Sequence, residues 1–421
     1  MSLDKSIIAA LLTALVFTAL AHGAVEPWSV AIFEGIIVAI MILWGIKALR
    51  ERRVEITVPH CAWPIAGLLL IGIAQSAGLS LDLESTRHAV LMLFILTVAF
   101  VAAANFFVTS ERLMLLANVL TGFGTLVALL ALVQSFTSDG RIFFLHPTVH
   151  SVFGPFVNHN HFAGYMDMLA PLPLGLMLTV VRGGARLVYG FAAILMGVAS
   201  IYSGSRSGAI SLLGALIFMA FMSRRTRHRG GLPRTTRIAV LAAISVAIIA
   251  GVVWVGAERI VERFGQTVDS TLHAEGPDVG RAQIWRETMR MIGDRPVFGA
   301  GLGSYYTAYP AYAENESLLG LDYSHNDFLQ IVADAGFVGG ILAFWFVAAV
   351  LYALYRGIRA RDPLSAGLSL AGGAGIIAVL IQSLTDTDLQ IPSNALLFLV
   401  LTAVVCCVPM PRAVLIGGEA A

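Results

Sequence analysis

Charged residues are scarce in this sequence. Of its 421 residues, 13% are charged and 57% are hydrophobic, whereas a soluble domain carries roughly 25% charged residues. The charges form clusters separated by apolar runs close to the roughly 20 residues that a helix needs to cross a bilayer. None of these runs alternates in the manner of a barrel strand. The composition therefore excludes an ordinary soluble domain and predicts an all-α, polytopic transmembrane helical bundle.

Cysteine is also rare, and the net charge is close to zero. The three cysteines, Cys61, Cys406 and Cys407, lie in or beside apolar runs, without a disulfide framework or metal-ligand spacing. A net charge of +1 gives no global basic or acidic balance, so nothing in the composition points to a nucleic-acid partner. The first apolar run, Ile7–Leu20, resembles a signal-peptide core but has no clear cleavage site before a soluble domain, and we interpret it as a span.

About twelve transmembrane spans are predicted. They cover approximately 6–22, 28–46, 61–76, 88–108, 113–135, 161–181, 187–203, 207–222, 238–256, 329–355, 365–384 and 393–409. Basic residues gather in four of the connecting loops, at Lys47, Arg50, Arg52 and Arg53; at Arg182 and Arg186; at Arg224, Arg225, Arg227, Arg229, Arg234 and Arg237; and at Arg356, Arg359 and Arg361. With twelve spans, the positive-inside rule puts all four loops and both termini in the cytoplasm.

The predicted organisation has three parts. Spans 1–9 occupy residues 1–256, a large periplasmic loop occupies 257–328, and spans 10–12 occupy 329–421. The loop contains an amphipathic helix, Arg281–Ile292, whose apolar residues recur at helical spacing.

Two faces are predicted for this loop helix. Trp285, Met289 and Ile292 face one way, and Arg286 and Arg290 lie one turn apart on another face. We interpret Arg290 as a solvated or lipid-facing charge, with substrate contact as the alternative.

Polar side chains are costly in a membrane, and here they concentrate near the predicted periplasmic surface. They are Glu34, Asn158, His159, His161, Asp167, Arg206, Arg286, Arg290, His325, Asp386 and Asp388. Each also has a structural interpretation, as a helix cap, a lipid-phosphate partner, an interfacial collar or an acceptor between helices. Their common level predicts a site built from many spans and covered by the long loop. Asp386 and Asp388 are two residues apart, which in a helix would put them on different faces.

The segment around His325 has a helix-start pattern. Ser324 followed by Asp327 resembles a capping box, which would place His325 in the first helical turn. The positive helix end disfavours an imidazolium there, so we expect a neutral ring able to accept a proton.

Gly299–Gly303 superficially resembles a dinucleotide-binding loop. It follows no predicted strand of a parallel sheet, and we interpret it as a tight bend that lets Tyr305 and Tyr306 pack at the membrane interface.

Five motifs resemble those of the O-antigen ligase and O-antigen polymerase superfamily of bacterial membrane proteins, and they occur in the family's order. They are Phe156–Tyr165, Ser203–Gly208, Gly280–Arg286, Pro296–Ser304 and Ser324–Gln330, with Gly336 beyond the last. The resemblance implies a type-C glycosyltransferase fold in the bacterial inner membrane. The donor would be a glycan on undecaprenyl pyrophosphate in the periplasm, and in the ligase branch the acceptor is a lipid A-core hydroxyl.

The resemblance also implies catalytic roles for Arg206, Arg286 and His325. His325 would be the base that activates the acceptor hydroxyl, and the arginines would bind the diphosphate through bidentate hydrogen bonds. The wider candidate set for substrate binding is Arg206, Arg286, Arg290, Asn158, His159, His161, Asp386 and Asp388.

A pyrophosphate leaves as an anion, so the second carboxylic acid of a glycosidase is dispensable. One base and one displacement predict inversion at the anomeric carbon. No aspartate pair at metal-binding spacing lies beside the motifs, and we expect neither a metal nor another cofactor.

Other functions fit the same sequence. An O-antigen polymerase and a protein O-oligosaccharyltransferase would use the same histidine base and the same diphosphate-binding arginines. A transporter or lipid flippase would also have many spans, although transporters usually place the polar site near the bilayer midplane, in paired halves, and no matching halves are visible. A non-catalytic assembly partner is a further alternative, and the oligomeric state is left open.

Overall fold

A computed structural model describes most of the chain. The described residues are 2–53, 55–137, 141–143, 146–147, 153–224, 232–256, 277–314 and 320–407. The helices are α1 (Leu3–Leu20), α2 (Pro27–Glu51), α3 (Ala62–Ala74, followed by a π-helical turn, Gln75–Leu79), α4 (Leu83–Phe106), α5 (Ser110–Thr137), α6 (His159–Leu169), α7 (Pro171–Thr179), α8 (Ala185–Tyr202), α9 (Arg206–Met222), α10 (Arg234–Gly256), α11 (Pro277–Asp294), α12 (Tyr305–Ala308, followed by a 3₁₀ turn, Tyr309–Ala311), α13 (Asp327–Ile358), α14 (Pro363–Gln382) and α15 (Pro392–Cys407). A 3₁₀ turn, Asp388–Gln390, lies between α14 and α15, and a short hairpin of β1 (Arg141–Ile142) and β2 (His146–Pro147) follows α5.

Apolar helices dominate the fold. Within the described ranges, ten helical segments are long and apolar enough to cross a membrane, and α9 and α15 are two shorter apolar helices. The α6–α7 pair and α3 with its π-helical turn each count as one segment. All twelve coincide with the predicted spans, with ends shifted by a few residues. The prediction of an all-α, polytopic membrane protein is confirmed.

Side-chain caps explain where several helices begin. The Ser2 hydroxyl accepts a hydrogen bond from the Lys5 N–H, and the Asp82 carboxylate accepts from two N–H groups in the first turn of α4. Asp362 caps α14 through the Ser365 N–H, with Pro363 at the first helical position. Such caps satisfy N–H groups that have no partner inside the helix, and proline is tolerated at this position.

The centre of the bundle is formed by the α6–α7 pair and α14. The α6–α7 segment is buried beyond its first turn, and α14 packs against α7 and α9. Glycines permit this approach: a Cβ on Gly175 would lie 2.6 Å from the Ala371 Cβ, and one on Gly375 would lie 2.7 Å from the Met168 carbonyl oxygen. Small residues therefore bring the helix backbones into direct contact.

The two ends of the bundle differ in character. At one end, Asp4 of α1 forms ion pairs with Lys47 of α2 at 2.6 Å and with Arg112 of α5 at 2.7 Å. At the other end, the turn after α1 meets the start of α15, because the Ser393 N–H donates to the Gly23 carbonyl at 3.1 Å. The candidate site residues lie at this second end.

Helix α13 is broken at Gly336, which has φ 66° and ψ −169°. The loop after α11 fills the break: the Phe337 N–H donates to the Pro296 carbonyl at 2.7 Å, and the Val338 N–H donates to the Val297 carbonyl at 3.4 Å. These bonds replace helical partners that the break removes. The break therefore anchors the long loop on the first part of α13.

Part of the predicted organisation lies outside the described residues. Arg225, Arg227 and Arg229 of the basic loop do so, as do 257–276 at the start of the predicted periplasmic loop and 408–421.

Candidate active site

Five helix ends meet at one end of the bundle. They are the first turns of α6, α9, α13 and α15 and the last turn of α14. Side chains from two of these helices hold the first turn of α6: Gln382 Nε2 donates to the Asn160 carbonyl at 2.9 Å, and Asn394 Nδ2 donates to the His161 carbonyl at 3.0 Å. The segment 383–391, which connects α14 to α15, therefore lies between the histidine-bearing elements.

His325 precedes α13 and is not part of it. Its φ is 53°, a left-handed value that is uncommon for a residue with a side chain. The N-cap of α13 is Asn326, whose side chain accepts from the Leu329 N–H at 3.0 Å. The prediction that Ser324 caps the helix and that His325 lies in its first turn is therefore wrong, because the asparagine two residues later takes the capping role.

The neighbours of His325 fix its backbone. The Ser324 N–H donates to Gln330 Oε1 at 2.8 Å, and Asn326 Nδ2 donates to the Leu384 carbonyl at 2.9 Å. Backbone strain of this kind persists only where the surroundings enforce it. These bonds supply that enforcement from both sides of the histidine.

His325 faces Asp386 across the site. Its Nδ1 lies 3.7 Å from Asp386 Oδ1, and the side chains are 34% and 1% exposed. The separation exceeds a hydrogen bond. Burial tends to raise the pKa of Asp386, but His325, His161 and the Thr387 N–H outweigh it and hold that pKa low, at about 2. Asp386 is therefore a carboxylate, and the ring of His325 is oriented toward it by one nitrogen.

His161 forms a second pair of this kind. Its Nδ1 lies 3.0 Å from Asp388 Oδ1, and the side chains are 12% and 0% exposed. Gly164 makes room for the carboxylate, because a Cβ there would lie 2.4 Å from Asp388 Oδ2. Burial raises the pKa of Asp388 to about 6, although the hydrogen bond from His161 works in the opposite direction.

The two aspartates have a different environment from the one predicted. Asp386 lies in the turn after α14, and Asp388 begins the 3₁₀ turn. Their side chains diverge, as predicted, but both are buried and each faces a histidine. The segment is not a regular helix, and its compact turn is what allows carboxylates two residues apart to reach His325 and His161.

Asn158 and His159 complete the start of α6. Asn158 is the N-cap, since its Oδ1 accepts from the Asn160 N–H at 2.8 Å. His159 is the first helical residue and is half-buried. Asp167, one and a half turns deeper than His161, accepts a 2.6 Å hydrogen bond from Ser200 of α8, which fits its interpretation as an acceptor between helices. Glu34 lies half-buried on α2.

Arg206 is the first residue of α9 and is half-buried. Ser205 caps this helix by accepting from the Gly208 N–H at 3.1 Å. The first turn of α9 packs directly on α6, because a Cβ on Gly208 would lie 2.6 Å from the Ala163 Cβ. Arg206 and His161 therefore occupy adjoining helix starts.

Helix α11 has a buried face different from the one predicted. Ile284, Glu287, Thr288 and Met291 are buried, whereas Met289 is 59% exposed. The predicted face of Trp285, Met289 and Ile292 is therefore wrong at Met289. The cause is a polar core, in which Tyr309 and Gln283 donate to the Glu287 carboxylate and Thr288 bonds the Tyr305 hydroxyl at 2.7 Å. Burial tends to raise the pKa of Glu287, but these donors lower it overall.

The arginines of α11 differ in their contacts. Arg286 is exposed, and the residue before it, Trp285, donates from Nε1 to the Ser324 carbonyl at 3.0 Å. This bond ties α11 to the residue preceding His325. Arg290 is exposed and forms an ion pair with Glu314, so its charge already has a partner.

The glycine-rich loop Gly299–Gly303 packs against α13, the helix that follows His325. Gly299, Gly301 and Gly303 all have positive φ, and a Cβ on Gly299 would lie 2.4 Å from the Asp334 carbonyl carbon of α13. The tight bend is confirmed. Both tyrosines were predicted to pack at the membrane interface, but Tyr305 is buried within the loop and only Tyr306 is exposed.

Several residues of the site escaped the sequence reasoning. The Asp327 carboxylate accepts from Ser383 Oγ at 2.8 Å and from the Leu389 N–H at 3.2 Å. It thereby ties the start of α13 to the segment that holds Asp386 and Asp388. Gln382 and Asn394 donate hydrogen bonds to the first turn of α6. In the sequence, each is an amide side chain at the end of an apolar span, and that position could have marked them as site residues. Among the described residues, no group of three or more His, Cys, Asp or Glu side chains could hold a metal ion.

Comparison with known families gives one match. Residues 191–344 match the family described as O-antigen ligase. The matched region contains Arg206, Arg286 and His325, whereas His161, Asp386 and Asp388 lie outside it. No match was found among curated proteins. The family match supports the resemblance seen in the motifs, and residues 191–344 are similar to the O-antigen ligase family.

Proposed function

We propose that this protein is an O-antigen ligase, an inverting glycosyltransferase. It moves O-antigen glycan from undecaprenyl pyrophosphate to a lipid A-core hydroxyl and so completes lipopolysaccharide. The observation that carries the proposal is the pairing of His325 with the buried carboxylate of Asp386, within a chain whose O-antigen ligase domain contains Arg206, Arg286 and His325.

His325 acts as the general base. With Nδ1 toward Asp386, the opposite ring nitrogen, Nε2, is the atom that takes the proton of the acceptor hydroxyl. The 3.7 Å separation from Asp386 closes to a hydrogen bond when substrate binds, since catalytic hydrogen bonds are often long in the free enzyme. Asp386 then fixes the tautomer and stabilises the imidazolium that forms, the role of the aspartate in a serine protease triad.

Arg206 and Arg286 bind the departing diphosphate. A guanidinium forms two parallel hydrogen bonds with phosphate oxygens. These contacts strengthen as negative charge grows on the oxygen that leaves, which is the condition for lowering the barrier. The tie between Trp285 and Ser324 supports this assignment for Arg286, because it joins the arginine's helix to the base.

One displacement at the anomeric carbon inverts its configuration. The energy comes from cleavage of the glycosyl–pyrophosphate bond, and the mechanism needs no metal or nucleotide. Arg290 has Glu314 as its partner, and we assign it no part in the chemistry. We assign Asn158 and His159, at the start of α6, as second contacts for the glycan.

The site lies at the periplasmic face of the bacterial inner membrane, with both termini in the cytoplasm. Support comes from the positive-inside rule and from the bundle itself. Lys47 and Arg112 bind Asp4 at the end opposite to the site.

The experiment is a reconstituted transfer assay. Purified protein in liposomes receives undecaprenyl-pyrophosphate-linked O antigen and lipid A-core, with EDTA present and nucleotide absent. A ladder of glycan-modified lipid A-core is expected. Longer lipid-linked glycans without modified core would make the protein a polymerase, and a glycosylated protein acceptor would make it an oligosaccharyltransferase. Movement of the donor across the bilayer without a new glycosidic bond would identify a flippase.

A further inference from the structure

Two histidine–carboxylate pairs share the segment Thr385–Asp388, and the mechanism above uses only one of them. Asp386 faces His325 at 3.7 Å, and Asp388 bonds His161 at 3.0 Å. The second pair is shorter, more deeply buried and on a different helix. A buried histidine–carboxylate pair this close to the proposed catalytic residues suggests a chemical role of its own.

The ring of His161 is oriented by a hydrogen bond at Nδ1, which leaves Nε2 for another contact. A carboxylate only accepts hydrogen bonds, so Nδ1–H donates to Asp388. The backbone of the same turn is fixed by Gln382 at the Asn160 carbonyl and by Asn394 at the His161 carbonyl. Among the described residues Nε2 makes no hydrogen bond, and the side chain keeps 12% of its surface exposed. Nε2 is therefore the atom available to a ligand.

The first turn of α6, which carries His161, lies beside the first turn of α9, which carries Arg206. The first turn of α6 packs on the first turn of α9 at Ala163 and Gly208, and that turn of α9 begins with Arg206. His325, by contrast, precedes α13, on the other side of the segment that carries both aspartates. The base is thus at one end of this segment, and His161 is at the other end with the arginine that binds the diphosphate.

The surrounding charges suit a protonated ring. Asp388 is hydrogen-bonded to His161 at 3.0 Å, and Asp386 lies two residues away on the same segment. Burial of the ring and the positive N-terminus of α6 oppose protonation, but the carboxylate in direct contact with the ring favours it. An imidazolium here is a paired charge, and its free N–H donates a charge-assisted hydrogen bond to an anion.

We propose that His161, oriented by Asp388, donates a charge-assisted hydrogen bond from Nε2–H to the phosphate oxygen that leaves. This role rests on the proposed function. As the acceptor oxygen bonds to the anomeric carbon, its proton passes to His325. The bond between the anomeric carbon and the phosphate oxygen breaks, its electron pair stays on that oxygen, and the His161 Nε2–H stabilises the resulting anion without giving up its proton. Afterwards the pyrophosphate leaves as an anion and His325 releases its proton to water.

Two amide substitutions separate this role from a structural one. His161→Asn places an amide near Nδ1, where it keeps a bond to Asp388 but offers no donor at the Nε2 position. His161→Gln places its amide near Nε2 and keeps that donor. If the Nε2–H matters, His161→Asn should lose about 10²–10³ in kcat, and His161→Gln should retain about tenfold more activity than His161→Asn.

The assay is the transfer of undecaprenyl-pyrophosphate-linked glycan to lipid A-core, with kcat and the donor KM measured separately. His88→Asn and His88→Gln are matched controls, because His88 is exposed on α4 and bonds only its own helix. Near-normal turnover by His161→Asn, or equal activity of the two variants, overturns the role. Asp388→Asn leaves the ring in place and should also lower kcat, and full activity of that variant would remove Asp388 as the orienting group.

The outcomes distinguish the two proposals. Transfer by the wild type with unchanged kcat in His161→Asn overturns only the role of His161. Failure of the wild type to form a glycosidic bond with any acceptor overturns the proposed function, and the role of His161 with it.

Discussion

His325 has a backbone conformation that few residues other than glycine adopt. Its φ is 53°, and for a residue with a Cβ this conformation destabilises the fold by on the order of 1–3 kcal/mol. The hydrogen bonds of Ser324 and Asn326 offset this cost. The helix cap lies at Asn326, directly after the histidine, and the ring faces Asp386. The residue with the strained backbone is therefore also the one that faces the buried carboxylate.

The first prediction concerns the base and its carboxylate. His325→Ala should abolish transfer, because a positioned base contributes about 10²–10⁴ in rate. Asp386→Asn should lower kcat with little change in the donor KM, since it alters the tautomer without removing the ring. The reconstituted transfer assay measures both. His88→Ala is the control on an exposed histidine, and substantial activity in His325→Ala would remove His325 as the base.

The second prediction concerns Arg206. Lysine keeps the charge but lacks the planar fork that binds two phosphate oxygens. Arg206→Lys should therefore lose a large part of kcat/KM for the pyrophosphate-linked donor, as should Arg286→Lys. Arg290→Lys is the control, because this exposed arginine is paired with Glu314. Near-normal turnover by Arg206→Lys would reduce the arginine to a general positive charge.

The third prediction uses the raised pKa of Asp388, about 6. Because this pKa lies above the value of about 4 for a free side chain, the folded protein binds the proton more tightly than the unfolded chain. The resulting stability is present below pH about 4 and is lost as the pH rises through about 6. The always-neutral variant Asp388→Asn should thus melt at or above the wild-type temperature at neutral pH.

Thermal melting in detergent checks this prediction at neutral pH and near pH 5. The difference between Asp388→Asn and the wild type should shrink at the lower pH, while transfer activity of the variant stays low. A variant that melts far below the wild type at neutral pH would show that the ionised carboxylate stabilises the fold.

Single residues were predictable from sequence only where the signal was local. Arg206, Arg286 and His325 stood out because a family motif surrounds each one. The partners of the histidines did not, since Asp388 is 227 residues from His161 and nothing in the sequence ties the two together. The capping pattern at Ser324 misled because Asn326 offers an equally good cap two residues later.

At the scale of elements, the break in α13 organises the outer part of the molecule. Two carbonyls of the loop after α11 bond N–H groups beyond Gly336, and Gln75 donates to the Phe298 and Asp334 carbonyls at 2.6 and 2.9 Å. The loop is thereby fixed to two membrane helices. Because Trp285 joins α11 to Ser324, this anchorage extends to the base.

The fourth prediction tests the break. Gly336→Ala puts a Cβ 2.2 Å from the Val297 carbonyl oxygen at a positive φ, so it should lower the melting temperature by several degrees and reduce transfer. Gly45→Ala is the matched control, because nothing lies within 4 Å of that helical position and alanine favours a helix by up to about 1 kcal/mol. Equal melting temperatures for both variants would contradict the proposed importance of the break.

Elements were predicted well where hydrophobicity alone determines them. The apolar helices lie where the runs of apolar residues lie, because a membrane span is a local property. The face of α11 was not predictable in the same way. Glu287 is buried there because Tyr309, Gln283 and the Glu314 N–H all donate to its carboxylate, and a residue that is normally exposed then displaces Met289 from the inner face.

At the scale of the whole molecule, the two ends of the bundle carry different kinds of charged pairs. The ion pairs of Asp4 with Lys47 and Arg112 hold one end, and the paired histidines and aspartates occupy the other. In the proposed orientation, which rests on the positive-inside rule, the first end faces the cytoplasm.

The fifth prediction tests this orientation. Met289→Cys on the exposed side of α11 should react with a membrane-impermeant maleimide in intact cells, after the outer membrane is made permeable. Arg53→Cys, also exposed, should react only once the inner membrane is disrupted. The wild type is the control, because Cys61 and Cys406 are buried and Cys407 is half-buried. The reverse labelling pattern would invert the topology.

The global assembly was predictable from sequence in outline. Twelve apolar segments and their basic loops gave the span positions and an orientation. The packing order was not predictable, because hydropathy does not distinguish a helix that faces lipid from one enclosed by protein. The close packing of α6–α7 on α14 depends on Gly175 and Gly375, whose partners lie about 200 residues away in sequence.

That packing has a consequence for biosynthesis. Among the ten long segments α6–α7 has the lowest mean hydropathy, 1.2, and it carries Asp167. Helix α8, which follows it directly, supplies Ser200 as the partner of Asp167. Helix α14, which packs extensively on it, is synthesised about 200 residues later. During translation α6–α7 must therefore rest against α8 until α14 arrives. Since Asp386 and Asp388 follow α14, the candidate site forms only when the last hairpin is inserted.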